Sequence, residues 1–265
     1  MDLGLTDKRA LVTGGSKGIG LAIAHQLAAE GADVVIAARD LEALKLAADD
    51  IAAKSGRKVV GISVDTGDEA SVQELVARTV TELGGIDILV NSAATPWSAG
   101  SPTDFASTTD DVVRREVEIK VLGYLRTARA VAPHLIEQGW GRIINISGLG
   151  ARHANSIAQT IRNVSVSALT KNLADELGPL GVNVTVVHPG LTRTAKLDER
   201  LAAQSAESGT PVAELEEALA TNSIRRIVNA GDVADVVAFL ASPRSIGITG
   251  DAIAVGGGIP GPVFY

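Results

Sequence analysis

The stretch Thr13-Gly14-Gly15-Ser16-Lys17-Gly18-Ile19-Gly20 constrains the fold of this chain more than any other. The apolar run Ala10-Leu11-Val12 precedes it and an Ala/Leu-rich amphipathic segment, Leu21 to Glu30, follows it, an order that predicts strand, turn and helix. Glycine lacks a Cβ, so the backbone can take positive φ there and a ligand can come close to it. The helix beyond aims its unpaired N–H groups and the positive end of its dipole at the same point. In that context the turn suits the pyrophosphate of a dinucleotide.

The alternation continues along the chain. Strands are predicted at Ala10–Thr13, Val34–Ala37, Val59–Val64, Ile86–Asn91, Arg142–Ser147, Asn183–His188 and Ala252–Val255. Runs such as Val34-Val35-Ile36 and Asp87-Ile88-Leu89-Val90 lack polar alternation, as strands covered on both faces of a parallel sheet do. Helices fall near 19–30, 41–54, 69–83, 113–137, 155–178 and 231–241, with Asp40 and Asp68 as N-caps of two of them. The expectation is an α/β fold of Rossmann type: a doubly wound, parallel seven-stranded sheet with helices on both faces and right-handed crossovers, one domain over 1–265. One irregular insertion, 191–228, stands apart. Its Ala/Glu-rich piece, Ala195–Ala220, reads either as a mobile lid over a ligand or as a fixed pair of surface helices.

Composition narrows the function. A chain of 265 residues without cysteine needs no disulfide framework and offers no thiolate metal site. The four histidines, His25, His134, His153 and His188, show no metal-ligand spacing. The net charge of −7 is spread along the chain with no basic stripe, which argues against nucleic acid and anionic membrane as partners. No basic segment leads into an apolar core at the N-terminus, and no apolar run reaches the ~18 residues that would span a bilayer. A soluble, cytoplasmic protein acting on a small molecule is expected.

Ligands bind beyond the carboxyl ends of the strands in such sheets. The second strand ends Ala37-Ala38-Arg39-Asp40. An acidic residue closing that strand would accept from a ribose 2′-hydroxyl, whereas Arg39 together with Lys17 suits a 2′-phosphate, so the cofactor expected is NADP(H). Asp40 is better explained as a helix cap. Through Thr13–Gly20, Val64-Asp65, Asn91-Ser92-Ala93-Ala94, Gly141–Ser147, Leu169–Ala174 and Pro189-Gly190 with Thr192 and Thr194, the chain resembles the short-chain dehydrogenase/reductase family over nearly its full length. Ala94 departs from the glycine usual there. The resemblance implies cofactor contacts at Gly14, Ser16, Lys17, Gly18, Ile19, Gly20 and Arg39, and at Asp65 with Thr66 around the adenine. It also implies Asn91 and Ala93 beside the cofactor, and Asn163, Pro189, Gly190, Thr192 and Thr194 toward the nicotinamide end.

Hydride transfer to a carbonyl needs a donor that polarises the oxygen and a proton source of suitable pKa. The family supplies a serine, a tyrosine whose pKa a lysine lowers, and a helical asparagine. Ser147 matches the serine. Counting back from Leu169-Thr170-Lys171-Asn172-Leu173-Ala174 puts the tyrosine position on Gln159 and the lysine position on Asn163; within Asp111–Pro133 the asparagine position falls on Lys120. The only tyrosines are Tyr124 and Tyr265, and no tyrosine or lysine lies between Ser147 and Leu169. Gln159 can donate a hydrogen bond but cannot transfer a proton. Asn163 can hold a ribose as a neutral donor. Lys120, if desolvated, can polarise a carbonyl, act as acid or base, or form an imine; the alternative is a structural lysine bonding backbone carbonyls. His153 reads as a general acid or as a polar lining residue, Arg152 as an anion contact or a surface ion pair, and Trp97 as pocket wall or loop anchor.

The candidate catalytic set is therefore Ser147, Lys120, His153, Gln159 and Asn163, with no metal. The favoured reading is an NADP(H)-dependent oxidoreductase that reduces a carbonyl or oxidises an alcohol on a small, rather apolar substrate with a non-standard proton donor. The alternatives are a lyase or isomerase using Lys120 or His153, and a catalytically silent NADP-binding protein. The helices at 113–137 and 155–178 carry apolar residues beyond one face, including Val164, Val166, Leu169 and Leu173. By resemblance they pair in a homodimer or homotetramer; otherwise they only cover the sheet.

Overall fold

A computed structural model of the chain describes residues 2–94, 104–154 and 156–261. Strands β1 (Arg9–Thr13), β2 (Asp33–Ala38), β3 (Val59–Ser63), β4 (Ile88–Asn91), β5 (Gly141–Ile146), β6 (Val182–Pro189), β7 (Thr192–Arg193), β8 (Val228–Asn229) and β9 (Ala252–Val255) alternate with helices almost throughout. Seven of them form one parallel sheet in the order β3-β2-β1-β4-β5-β6-β9, while β7 and β8 pair in a separate short ribbon. The strand order turns back between β1 and β4, whose ends meet at Thr13 opposite Asn91. That switch point opens the crevice in which such sheets bind ligands.

Side-chain alternation divides the sheet's two faces into two cores. Val12, Ile36, Val90 and Ile144 pack against α1 (Gly18–Ala29), α2 (Leu41–Ser55) and, toward the chain's end, α9 (Ala230–Ala241). Leu11, Val35, Leu89 and Ile143 pack against α3 (Glu69–Leu83), α5 (Gly123–Glu137) and α6 (Ile157–Leu177), which follow α4 (Asp110–Glu116) in part. Each such side chain withdrawn from water contributes about 1.5–3 kcal/mol. Asp40 and Asp68 cap α2 and α3 as the sequence predicts, accepting from the backbone N–H of Ala43 at 3.1 Å and of Ala70 at 3.0 Å.

One sequence expectation is corrected and two are given detail. The helix expected over 113–137 starts at Asp110 and is interrupted by a π-helical turn, Val117–Leu122, that separates α4 from α5. The piece Ala195–Ala220 is two helices, α7 (Ala195–Ser208) and α8 (Val212–Leu219), because Gly209 takes φ +72° at the end of the first and Pro211 precedes the second. Of the apolar residues singled out on α6, Val166 is fully buried and Leu169 and Leu173 pack against the cores, while Val164 stays exposed. Trp97, most of the expected pocket wall at 95–105, and Tyr265 lie outside the described residues. Among the described residues no helix is long and apolar enough to cross a membrane, and no cluster of three metal-ligating side chains occurs.

Candidate active site

The glycine turn leaves β1 at the switch point. Gly14 and Gly18 take φ of +70° and +60°, where other residues are strained. A Cβ on Gly14 would stand 2.7 Å from the carbonyl oxygen of Ser92, and one on Gly20 would stand 2.3 Å from that of Gly14. The backbone of the turn therefore lies directly on the end of β4 and on its own helix. Thr13 Oγ1 completes the junction, accepting from the N–H groups of Ser92 at 3.2 Å and Ala93 at 3.3 Å. Lys17 is the extended N-cap of α1 and gives it no side-chain cap, so the first-turn N–H groups face outward unpaired by it. Gly18 faces Thr194, whose methyl would lie 3.6 Å from an added Cβ, so the segment after β6 reaches the turn. Lys17 and Arg39 are exposed, and neither side chain has a hydrogen bond or ion pair among the described residues. Ser16 and Ile19 are half-buried within the same turn.

Other expected contacts carry structural duties as well. Asp65 is exposed and its Oδ1 accepts from the Gly67 N–H at 2.9 Å. Thr66 is buried against Gly123 of α5. Gly190, following Pro189, packs so tightly on Gly256 that a Cβ would stand 2.8 Å from its Cα. Thr192 Oγ1 bonds back to the Gly190 carbonyl at 3.0 Å. Asn91 does stand at the end of β4, but its amide belongs to a buried polar ladder. Thr127 Oγ1 donates to Asn91 Oδ1 at 2.7 Å, Asn91 Nδ2 to Asn145 Oδ1 at 3.0 Å, and Asn145 Nδ2 to Thr170 Oγ1 at 3.0 Å. The ladder runs from α5 across two strands to α6 and leaves each group satisfied in the interior.

Beyond the ladder, three of the candidate catalytic residues converge. Lys120, in the π-helical turn and 4 % exposed, donates from Nζ to the Ser147 carbonyl at 2.8 Å and to Asn163 Oδ1 at 3.2 Å. Ser147 Oγ donates to the Asn163 carbonyl at 3.1 Å and lies 3.4 Å from Asn163 Oδ1. Asn163 Nδ2, beside Gly148, has no hydrogen bond among the described residues. The lysine thus bonds a backbone carbonyl, as the structural alternative has it, and a site side chain at once. Burial is the largest influence on Lys120 and holds its pKa well below the ordinary lysine value; the nearby Arg162 charge acts in the same direction and Glu116 opposes it. Among the described residues, His153 is exposed and has no hydrogen bond to this group, and Gln159, half-buried in the first turn of α6, makes none either.

Sequence reasoning missed several neighbours. Glu116 and Arg162 form a buried ion pair beside Lys120. Tyr124, placed by the sequence far from any expected role, donates its hydroxyl to the Ile146 carbonyl at 2.9 Å, and burial raises its pKa further above the usual phenol value. His188 is buried on β6 with Nε2 3.4 Å from Ser167 Oγ and Nδ1 unpartnered, and burial lowers its pKa to about 4. A helical spacing of four from Glu116 to Lys120, and the adjacency of Arg162 to Asn163, were the legible hints.

A parallel sheet with a glycine turn at its switch point defines a dinucleotide-binding α/β class of fold, and Ser147 directly follows β5. Residues 14–260 match the family model described as enoyl-(acyl carrier protein) reductase. The chain is 34% identical over 252 residues to the short-chain reductase protein NovJ of Streptomyces niveus, covering 95% of this chain and 93% of that protein. It is 34% identical over 256 residues to dehydrogenase/reductase SDR family member 4 of Sus scrofa, covering 96% and 88%. The crystal structure of L-sorbose reductase from Gluconobacter frateurii, complexed with NADPH and L-sorbose, superposes with a TM-score of 0.92 at 28% identity, covering 99% of this chain and all of that one. The chain belongs to the short-chain dehydrogenase/reductase family.

Proposed function

We propose that this protein is an NADP(H)-dependent oxidoreductase interconverting a carbonyl and an alcohol on a small, rather apolar substrate, with Lys120 in place of the usual proton donor. The observation that carries it is the convergence of Lys120, Ser147 and Asn163 at the carboxyl end of β5. Relative to the family pattern, the asparagine and lysine have changed helices: the lysine comes from the π-helical turn and the asparagine from α6, and the two side chains still touch.

The residues present fit the cofactor. The open first turn of α1 and the close backbone of Gly14, Ser16, Gly18, Ile19 and Gly20 suit a pyrophosphate, and the cations Lys17 and Arg39, unpaired among the described residues, suit a 2′-phosphate. Asp65 and Thr66 would line the adenine, with Ala93, Pro189, Gly190, Thr192 and Thr194 toward the nicotinamide. Asn163 Nδ2, without a hydrogen bond among the described residues, would donate to a ribose hydroxyl. Bound NADPH supplies the hydride. Ser147 Oγ turns from the Asn163 carbonyl to hold the substrate oxygen, and Lys120 is the ionisable group that furnishes its proton. A lysine of ordinary pKa would hold that proton too tightly near neutrality; burial loosens it toward the working range. The α7–α8 pair, joined by Arg193 to Asp198 at 3.1 Å and to Glu216 at 2.6 Å, is assigned as the cover over the substrate.

The test is NADPH oxidation with a panel of small aldehydes and ketones, and NADP reduction with the matching alcohols. Turnover is expected, and Ser147→Ala and Lys120→Met are each expected to lower kcat about 100-fold or more while NADPH affinity stays near that of the parent. Tight NADPH binding with silence across the panel overturns the redox reading in favour of a silent binding protein. Borohydride trapping of a substrate imine on Lys120 overturns it in favour of a lyase or isomerase.

A further inference from the structure

Two rungs join α4 and the π-helical turn that follows it to α6. One is the hydrogen bond from Lys120 to Asn163. The other lies one turn earlier on the first segment and one residue earlier on the second, where Arg162 Nη1 donates to Glu116 Oε2. Each partner of this ion pair is 7 % exposed. Desolvation of a buried pair commonly cancels its attraction, so such a pair is a poor source of stability and is best attested as a device of register. Its position is specific: Glu116 is the last residue before the π-helical turn opens, and Arg162 is the neighbour of Asn163. Single π turns occur often at functional sites, where the extra residue re-aims a side chain.

We propose that the Glu116–Arg162 ion pair is the positioning device of Lys120, anchoring the π-helical turn on α6 so that the lysine amine meets Ser147 and Asn163. The inference rests on the reading of Lys120 as the ionisable group of the site. The ionisable groups around it are Glu116 from α4, Arg162 from α6, Tyr124 from α5 and His188 from β6. Tyr124 and His188 are neutral near pH 7. Arginine does not lose its proton in proteins. The ion pair alone therefore sums to zero, and Lys120 is the one group that can shed the cluster's surplus positive charge. Arg162 favours the neutral amine and Glu116 favours the ammonium, so the same pair that aims the lysine also poises it between its two forms.

Removal of either partner consequently moves Lys120 in opposite directions. With Arg162→Gln, Glu116 is left to pair with the ammonium; with Glu116→Gln, an uncompensated guanidinium faces the amine. The test is an NMR titration of the full chain labelled with 13C-lysine, the Lys120 Cε resonance being the one lost in Lys120→Met. The midpoint is expected to rise by about one pH unit or more in Arg162→Gln and to fall by a similar amount in Glu116→Gln, one unit being a tenfold change in proton affinity. Unmoved midpoints, or shifts in the same direction, overturn the proposal. Where a single variant fails to fold, Glu116→Asp takes its place: withdrawing the carboxylate by one methylene is expected to lower the midpoint, and an unchanged one overturns the proposal. The pH profile of NADPH oxidation separates the two readings. A midpoint that shifts while the profile stays put sinks the redox role of Lys120 and leaves the positioning role standing.

Discussion

At the scale of single residues, exposure and burial divide the labour. Arg39 and Lys17 are exposed cations without hydrogen-bond or ion-pair partners among the described residues, and under the proposed function their availability is what would select a phosphate. Arg39→Glu is expected to weaken NADPH binding by roughly tenfold or more, consistent with the ~1.5–3 kcal/mol of a charge-assisted bond, while NADH binding holds or improves. Fluorescence titration with both nucleotides reads this, and equal losses for the two would refute the assignment. His188 is the inverse case, a base kept out of water. Its folded pKa of about 4 lies below the unfolded value near 6.5, so the unfolded chain takes up a proton first as pH falls. Stability is accordingly complete above about pH 6.5 and declines toward pH 4, by roughly 3 kcal/mol in all. Urea midpoints measured across that range should fall less in His188→Gln than in the parent; parallel curves would show that His188 does not carry the acid sensitivity.

Elements act here through their ends and interruptions. The glycine turn works because α1 begins in backbone contact with the strand it leaves, and Gly20 is the tightest point, with Gly14's carbonyl oxygen 2.3 Å from any added Cβ. Gly20→Ala should cost about 2 kcal/mol of stability, as overpacking does, and should weaken NADPH binding along with it. A variant as stable as the parent by urea denaturation would contradict that geometry. The π-helical turn matters in a different way. The sequence predicts an uninterrupted α-helix over 113–137, and the π-helical turn that breaks it holds Lys120, whose amine bonds the Ser147 carbonyl and Asn163 Oδ1. Periodicity misses such a turn because the apolar pattern on either side of it is ordinary.

For the whole molecule, α6 leaves Ile157, Ile161 and Val164 exposed at helical spacing, beside the shorter α4. The homodimer or homotetramer expected from the family resemblance would bury this stripe between copies of the chain. Sedimentation is expected to give a multiple of the 27.2 kDa chain mass, and Ile161→Asp with Val164→Asp should shift it downward; a monomeric parent would remove the assignment. The division between sequence and structure follows from physical range. Strand, turn and helix, the caps at Asp40 and Asp68, the glycine turn and the parallel sheet were legible because each rests on residues a few positions apart. So was the absence of a tyrosine or lysine between Ser147 and Leu169, which is a matter of counting. The convergence of Lys120 with Asn163, the Asn91–Asn145 ladder, the Glu116–Arg162 pair and the burial of His188 were not legible. The paired residues are 43 to 54 positions apart, and burial, which sets their charge states, exists only once the sheet and helices have closed on one another. The sequence by itself determined a dinucleotide fold and the place of Ser147 beyond its fifth strand. Tertiary packing alone decided which cation stands at that serine and how its charge is held.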